Sequence, residues 1–127
     1  MNEYMFFIRK KSKSETTLSA ERHQEFLKSC ESYIGKLKSE GKLVSAQPIQ
    51  WQGGILTYVQ NSWGQAPIDE HGEVIGGYYH IRAADLEEAL RIARENPEFQ
   101  FNPETRIEVR PLKMKEQSTG FSYPSQA

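Results

Sequence analysis

Residues 74–112 read VIGGYYHIRAADLEEALRIARENPEFQFNPETRIEVRPL, and three local patterns inside this stretch decide the architecture. Residues 74–81 form a short apolar run with Gly76-Gly77 inside it, which predicts a strand. Asp85 then opens a segment where Leu86, Ala89, Leu90 and Ala93 recur at three- and four-residue spacing. That spacing predicts a helix over residues 86–95 with those four side chains facing inward. Asn96-Pro97 stops the helix, because the residue ahead of a proline is pushed out of the helical region. Residues 105–112 predict a second strand.

The N-terminal part repeats the order of strand, helix and strand. Tyr4-Met5-Phe6-Phe7-Ile8 shows no polar alternation, as expected of a central strand covered on both faces. Ser19 is placed to cap a helix over residues 20–40. Its apolar stripe is Phe26, Leu27, Cys30, Tyr33, Ile34 and Leu37, and Glu40-Gly41 is its stop signal. Residues 43–49 predict a strand, and Pro48 marks it as an edge or an exit. Residues 50–72 carry Gly53-Gly54, the strand-like run 55–59, the turn former Asn61-Ser62-Trp63-Gly64 and residues 65–68, which together predict an inserted hairpin. Each helix has one apolar stripe and needs a sheet to cover it. Two such units therefore make an α+β domain with a four-stranded antiparallel sheet and both helices on one face. The domain is expected over residues 1–112. Residues 113–127, rich in Lys, Ser, Gln and Gly, bury too little to order themselves and are expected to be a flexible tail or a docking arm.

Composition narrows the class. A chain of 127 residues with a formal charge of −1 has the size of one domain and no field to attract nucleic acid or an anionic membrane. The basic run Arg9, Lys10, Lys11 and Lys13 reads as a solvated strand exit. One cysteine, Cys30, cannot form an intramolecular disulfide, and the opening Met1-Asn2-Glu3 lacks the order of a signal peptide, so a cytoplasmic location is expected. The longest apolar runs are a few residues, against roughly 20 for a membrane span.

Two surfaces offer chemistry. His23 precedes Phe26, Leu27 and Cys30 by three, four and seven residues, which places it on or beside the apolar stripe of the first helix. It is either a general base or anion-binding imidazole, or a satisfied boundary histidine. In strict alternation Ile75, Gly77, Tyr79 and Ile81 share one face of their strand, while Gly76, Tyr78, His80 and Arg82 share the other; Ile107 and Val109 likewise oppose Glu108 and Arg110. With the aliphatic sets against the helices, Tyr78, His80, Glu108 and Arg110 point the other way and suit the lining of a ligand cleft between two subunits. The bland reading is a cross-strand ion pair and a solvent-facing histidine. His71 with Asp69, Glu70 and Glu73 lacks the spaced ligand set of a zinc site, so no metal is expected. Cys30 reads as an inert core thiol. Gly76-Gly77 lacks the following helix of a phosphate loop and reads as a bulge or a close backbone approach.

Strand 4–8, the helix carrying His23, and residues 41–48 are the first three pieces of a family pattern. Gly76-Gly77-Tyr78-Tyr79-His80-Ile81, Asp85-Leu86-Glu87-Glu88-Ala89 and Ile107-Glu108-Val109-Arg110-Pro111-Leu112 complete it. In that order they resemble the YCII-related, DGPF-type domain family over about residues 4–112. The resemblance implies a ferredoxin-like βαββαβ fold that pairs as a dimeric α+β barrel, with a His-Asp site in minimal members. The Asp-Gly-Pro-Phe signature is absent, and residues 68–72 stand in its place. Asn96 replaces the acidic residue expected before the proline, so His23 lacks the carboxylate that would fix its tautomer and raise its basicity. Two functions are therefore weighed. The favoured one is a homodimeric small-molecule binding or regulatory module for a small anionic or phenolic ligand, with no cofactor and with Tyr78, His80 and Arg110 lining the cleft. The alternative is a cofactor-independent lyase or hydrolase with His23 as general acid/base.

Overall fold

The structure, a computed structural model, describes residues 1–11, 18–68 and 72–124. The loop read at residues 12–17 and the metal reading at His71, with Asp69 and Glu70, lie outside the described residues, as do residues 125–127. Strand β1 (Asn2–Lys11) leads to helix α1 (Ala20–Ser39) and strand β2 (Leu43–Pro48). A hairpin of β3 (Ile55–Val59) and β4 (Ser62–Ala66) follows, then β5 (Glu73–Ala83), α2 (Leu86–Arg94), the single turn α3 (Glu98–Phe101) and β6 (Arg106–Pro111). The main sheet has the order β2-β5-β1-β6 and is antiparallel throughout. This is an α+β fold consistent with the ferredoxin-like arrangement. β1 lies inside the sheet as its unbroken apolar run predicts, and β2 is an edge, one of the two readings that Pro48 allows.

Local chemistry accounts for the helix ends. Ser19 caps α1 by accepting from the Arg22 amide at 3.1 Å. At the other end Gly41 adopts φ +71°, and the amides of Lys42 and Gly41 donate to the Leu37 and Lys38 carbonyls at 2.9 and 3.0 Å. That is a Schellman closure, and only glycine adopts its backbone without strain. Asp85 caps α2 through the Glu88 amide at 2.9 Å, while the Glu88 carboxylate accepts from the Ala84 amide at 3.0 Å.

The helices cover one face of the sheet. Tyr4, Phe6 and Ile8 of β1, Tyr79, Ile81 and Ala83 of β5, and Ala89, Ile92 and Ala93 of α2 form the core, with Tyr33 and Leu37 of α1. Ile92 belongs to this set and Leu86, expected inside, is exposed. The helix begins at Leu86, so that side chain lies beyond the sheet it was read to cover. Tyr33 ties the helices together by donating its hydroxyl to the Ile92 carbonyl at 2.7 Å.

Two expectations need correction. The hairpin turn is Gln60-Asn61, both at positive φ (51° and 63°), and Ser62, Trp63 and Gly64 belong to β4 instead of to the turn. Paired residues of positive φ match the twist of a two-residue hairpin, which is why the turn settles there. Strict alternation along β5 also fails. β1 pairs Ile8 with Gly77 but Arg9 with Ile75, so Gly76 is an extra residue, and Ile75 rotates to the open face where it is 46% exposed.

Residues 113–124 fold back on themselves through a Lys115–Ser122 bridge. The Glu116 amide donates to the Phe121 carbonyl at 2.7 Å, and the Tyr123 hydroxyl donates to the Glu116 carboxylate at 2.6 Å.

A Cβ on Gly77 would stand 3.2 Å from the Gln47 carbonyl oxygen and 3.4 Å from Pro48 Cα, both backbone atoms of the neighbouring strand. On Gly76 it would meet only the flexible Lys10 side chain, nearest at 3.1 Å. Gly77→Ala is therefore expected to lower stability by about 1–3 kcal/mol, as overpacking does, and Gly76→Ala to cost clearly less. Urea unfolding of both variants checks this, and equal midpoints would contradict it.

Candidate functional site

α1 does not lie flat on the sheet. Its C-terminal half is anchored by buried Tyr33 and Leu37, but Phe26, Cys30 and Ile34 are only half-buried and Leu27 is 52% exposed. α3 causes the lift. Phe101, itself buried, packs on Phe26 with ring centroids 5.4 Å apart, and the Arg22 guanidinium lies 4.1 Å over the Phe101 ring. Beneath the raised half lies a cleft of about 300 Å³, with Phe26, Leu27, Cys30 and Ile34 above and Ile8, Gly77 and Tyr79 below. The absent side chain at Gly77 helps keep the floor low.

Polar groups converge on this apolar space. His23 stands at its mouth, exposed, with its ring 6.3 Å from Phe26. Lys10 enters from β1, with Nζ 3.2 Å from the Glu98 carboxylate and 5.9 Å above the Phe26 ring. Glu98 is buried, and its second oxygen accepts from Asn102 Nδ2 at 2.9 Å and from Thr105 Oγ1 at 3.4 Å. Burial pushes the Cys30 thiol up from 9.0 to about 11, with the Glu98 charge adding to the effect and Lys10 opposing it. Burial likewise raises the Tyr79 phenol to about 12, and Tyr33 is raised further still by the same cause. Cys30 is therefore a neutral thiol at physiological pH, as its place on an apolar stripe suggested.

His23 is not sealed in the core, and among the described residues no carboxylate is hydrogen-bonded to it. Asn96 is 1% exposed, its Oδ1 capping the Glu98 amide at 2.9 Å. The acidic group missing at position 96 thus reappears two residues on, in the cleft wall, where it holds Lys10. Sequence reading overlooked Glu98 because α3 is too short to show periodicity.

The other expected site residues lie on the opposite side of the sheet. Cross-strand register sets His80, Met5 and Arg110 in one row and Tyr78, Phe7 and Glu108 in the next. The Tyr78 hydroxyl and Ser45 Oγ are 2.8 Å apart. His80 Nε2 lies 2.6 Å from Glu3 Oε1, with side chains 14% and 11% exposed, so the imidazole's partner is Glu3 and not Glu108. Glu3 was overlooked because it sits one residue ahead of the apolar run that marked β1. Arg110 is largely exposed and reaches Glu108 only at 3.8 Å. His23 is therefore not brought together with His80 and Arg110; Tyr78 alone of the three borders the α1 cleft.

Tyr78 also borders a second hollow on this open face. It measures about 590 Å³ and is lined mainly by apolar side chains, among them Met5, Phe7, Ile75 and Trp51. Beside it lies the charged part of the face, where Arg106 donates to Glu73 at 3.1 and 2.9 Å and Arg9 bridges Glu73 and Glu108. The Arg106 hydrogen bonds, then the Arg9 charge, hold the Glu73 carboxyl below the usual carboxylate range. Among the described residues no cluster of His, Cys, Asp and Glu could hold a metal ion, and no helix is long and apolar enough to cross a membrane.

An antiparallel four-stranded sheet with two helices on one face and a cleft under the first defines a small α+β domain of the ferredoxin-like type. The model of the YCII-related domain matches residues 3–113, and the chain belongs to that family. A search of curated proteins finds no match.

Cys30 and Tyr79 keep protons in the native state that the unfolded chain releases. Because their native values are raised, the stability they contribute is complete below about pH 9.0 and is lost as pH rises through about 11 and 12. Urea midpoints are expected to fall over that window, and Cys30→Ala to remove part of the fall between pH 9.0 and about 11. A midpoint that stays constant up to about pH 11 would contradict the burial of both groups.

Proposed function

We propose that this protein is a small-molecule binding module that holds a small anionic or phenolic ligand in the cleft beneath α1, and that it works as a homodimer. The observation that carries the ligand reading is the convergence of Lys10, His23, Tyr79 and Gln47 on one apolar space of about 300 Å³. That volume lies at the lower end of ligand pockets and suits a single ring with short substituents. The apolar walls supply burial for the ring. The ammonium of Lys10, the imidazole of His23 and the Tyr79 hydroxyl supply donors for an anionic or phenolate oxygen. Lys10 is already compensated by Glu98, so a bound anion shares a cation that the fold keeps half-buried and oriented.

The homodimer rests on a different feature. Helices cover one face of the sheet, and the other face carries Met5, Phe7, Ile75 and Tyr78 with no helix over them. Apolar surface left in this way usually marks an interface.

A cofactor-independent lyase or hydrolase with His23 as acid/base is the second reading. Among the described residues, the carboxylate–imidazole pair that such chemistry favours is found at Glu3–His80, on the other face, which weakens His23 as a catalyst. His80 and Arg110 then serve the open face and not the ligand cleft.

Titration calorimetry and imidazole NMR with benzoate and phenol as probes test the reading. Saturable binding is expected, with His23 resonances shifting and His80 resonances unmoved. Tyr79→Phe should weaken binding about tenfold, the equivalent of about 1.4 kcal/mol, and Leu27→Trp should abolish it by filling the cleft. His80→Gln should leave it unchanged. Binding that survives Leu27→Trp but is lost with His80→Gln would move the site to the open face.

A further inference from the structure

The inserted hairpin is without cover in the single chain. All five residues of β3 are exposed, Leu56 at 65%, and Trp63 of β4 at 73%. A two-stranded ribbon this short is marginal unless it packs on something. Its composition also sets it apart: residues 43–68 contain no Asp, Glu, Lys, Arg or His, in a chain that is 26% charged. Depletion of charge and enrichment of aromatics mark the centres of protein interfaces.

The ladder sorts the ribbon into two faces. Ile55 pairs with Ala66, Leu56 with Gln65 and Tyr58 with Trp63, so Leu56, Tyr58 and Trp63 share one face and Ile55 lies on the other. Ile55 already lines the chain's own open-face hollow, together with Ile49 and Ile68 at the ribbon's base. The Leu56-Tyr58-Trp63 face therefore points away from that hollow. Its two aromatic rings pack at a tilt of 49° with centroids 4.8 Å apart. The tip lies about 13 Å further along the ribbon, at roughly 3.3 Å per residue. A hydrogen-bonded ribbon cannot double back, so the aromatic face needs a surface on another molecule.

From this we infer that the aromatic face of the β3–β4 arm docks in trans on the open-face hollow of a second copy, against its Met5, Phe7 and Tyr78. The match is one of charge: an uncharged arm meets a hollow in which, among the described residues, Glu73 is the one charged lining group, and that carboxylate is already paired with Arg9 and Arg106. The charged part beside it is occupied internally by the ion pairs of Arg9 and Arg106 with Glu73 and of Arg9 with Glu108. Each chain offers one arm and one hollow, so the exchange is reciprocal and closes as a two-fold dimer. Each hollow is then roofed by the partner's Tyr58 and Trp63. The inference rests on the homodimer reading and adds to it which segment makes the contact.

The test uses the full chain carrying Tyr58→p-benzoylphenylalanine, mixed as nitrogen-14 and nitrogen-15 preparations, irradiated and mapped by mass spectrometry, with light scattering for the mass. A dimer is expected, with mixed-isotope cross-links between position 58 and the peptide holding Met5 and Phe7. The double variant Leu56→Glu, Trp63→Glu should raise the dimer dissociation constant at least about a hundredfold while circular dichroism stays native. A dimer whose position 58 cross-links only within one chain, or not to the sheet face, overturns the arm exchange and leaves the homodimer standing. A monomer overturns both.

Discussion

One extra residue in β5 shapes both sides of this molecule. Where β1 steps from Ile8 to Arg9, β5 steps from Gly77 to Ile75, and Gly76 is left over. The bulge turns Ile75 from the helix face to the open face, where it lines the larger hollow, and matches Lys10 with Val74 on the helix side, where the ammonium reaches Glu98. The carbonyl of Gly76 is not lost, since the Ile49 amide donates to it at 2.9 Å at the point where β2 leaves for the hairpin. Gly77 allows β2 to approach so closely that a methyl group there would press on the Gln47 carbonyl. Two glycines thus set the depth of the cleft under α1, the cation in it and the departure point of the arm.

Charge is divided between the faces accordingly. On the helix side the Lys10–Glu98 ion pair stands in the wall of the apolar cleft, near protonated Cys30 and Tyr79. A partly buried pair of this kind contributes little net stability, because desolvation, chiefly of Glu98, offsets the Coulomb gain. Its consequence is orientation: two charged groups are kept at the wall of a space otherwise suited to a ring. On the open face the ions form a shared surface network around Glu73, screened and individually weak. Asn96 adds one uncommon feature to the interior. Its Oδ1 caps the Glu98 amide, while its Nδ2 is buried without a partner at full hydrogen-bond geometry, though near enough to the Tyr33 and Tyr79 phenols to favour their ionised forms as a donor. A buried amide hydrogen left unpaired costs free energy, and here that cost sits next to the proposed ligand cleft.

The histidines show how far residue patterns can be trusted. Helical spacing put His23 beside the apolar stripe correctly, yet an apolar stripe does not say where a helix lies flat. Only the tertiary packing, with Phe101 of α3 against Phe26, shows that position to be a cleft mouth instead of a core contact. Alternation alone puts His80 on the open face, and alternation holds from Gly77 to Ala83 because the ladder with β1 is regular there, even though the ladder with β2 shifts register between Leu43 and Ser45. Its partner was not legible. Glu3 belongs to a different strand, 77 residues away in sequence, and only the pairing register brings its carboxylate to 2.6 Å.

Legible in the residue patterns are the strands and the two long helices, their order, the central place of β1, both helix caps and the bulge-prone glycine pair, but not the single turn α3. These follow from short-range physics: side-chain periodicity, capping hydrogen bonds, and the backbone freedom of glycine and its absence in proline. What only the tertiary structure decided was which titratable groups meet. The Glu98–Lys10 pair, the Glu3–His80 pair, the tilt of α1 and the outward aromatic face of the arm all depend on long-range packing and on where one unpaired residue falls in a ladder. A single-residue shift of register sends every later side chain of a strand to the other face. No local pattern carries that information, because the shift is chosen by the neighbouring strand.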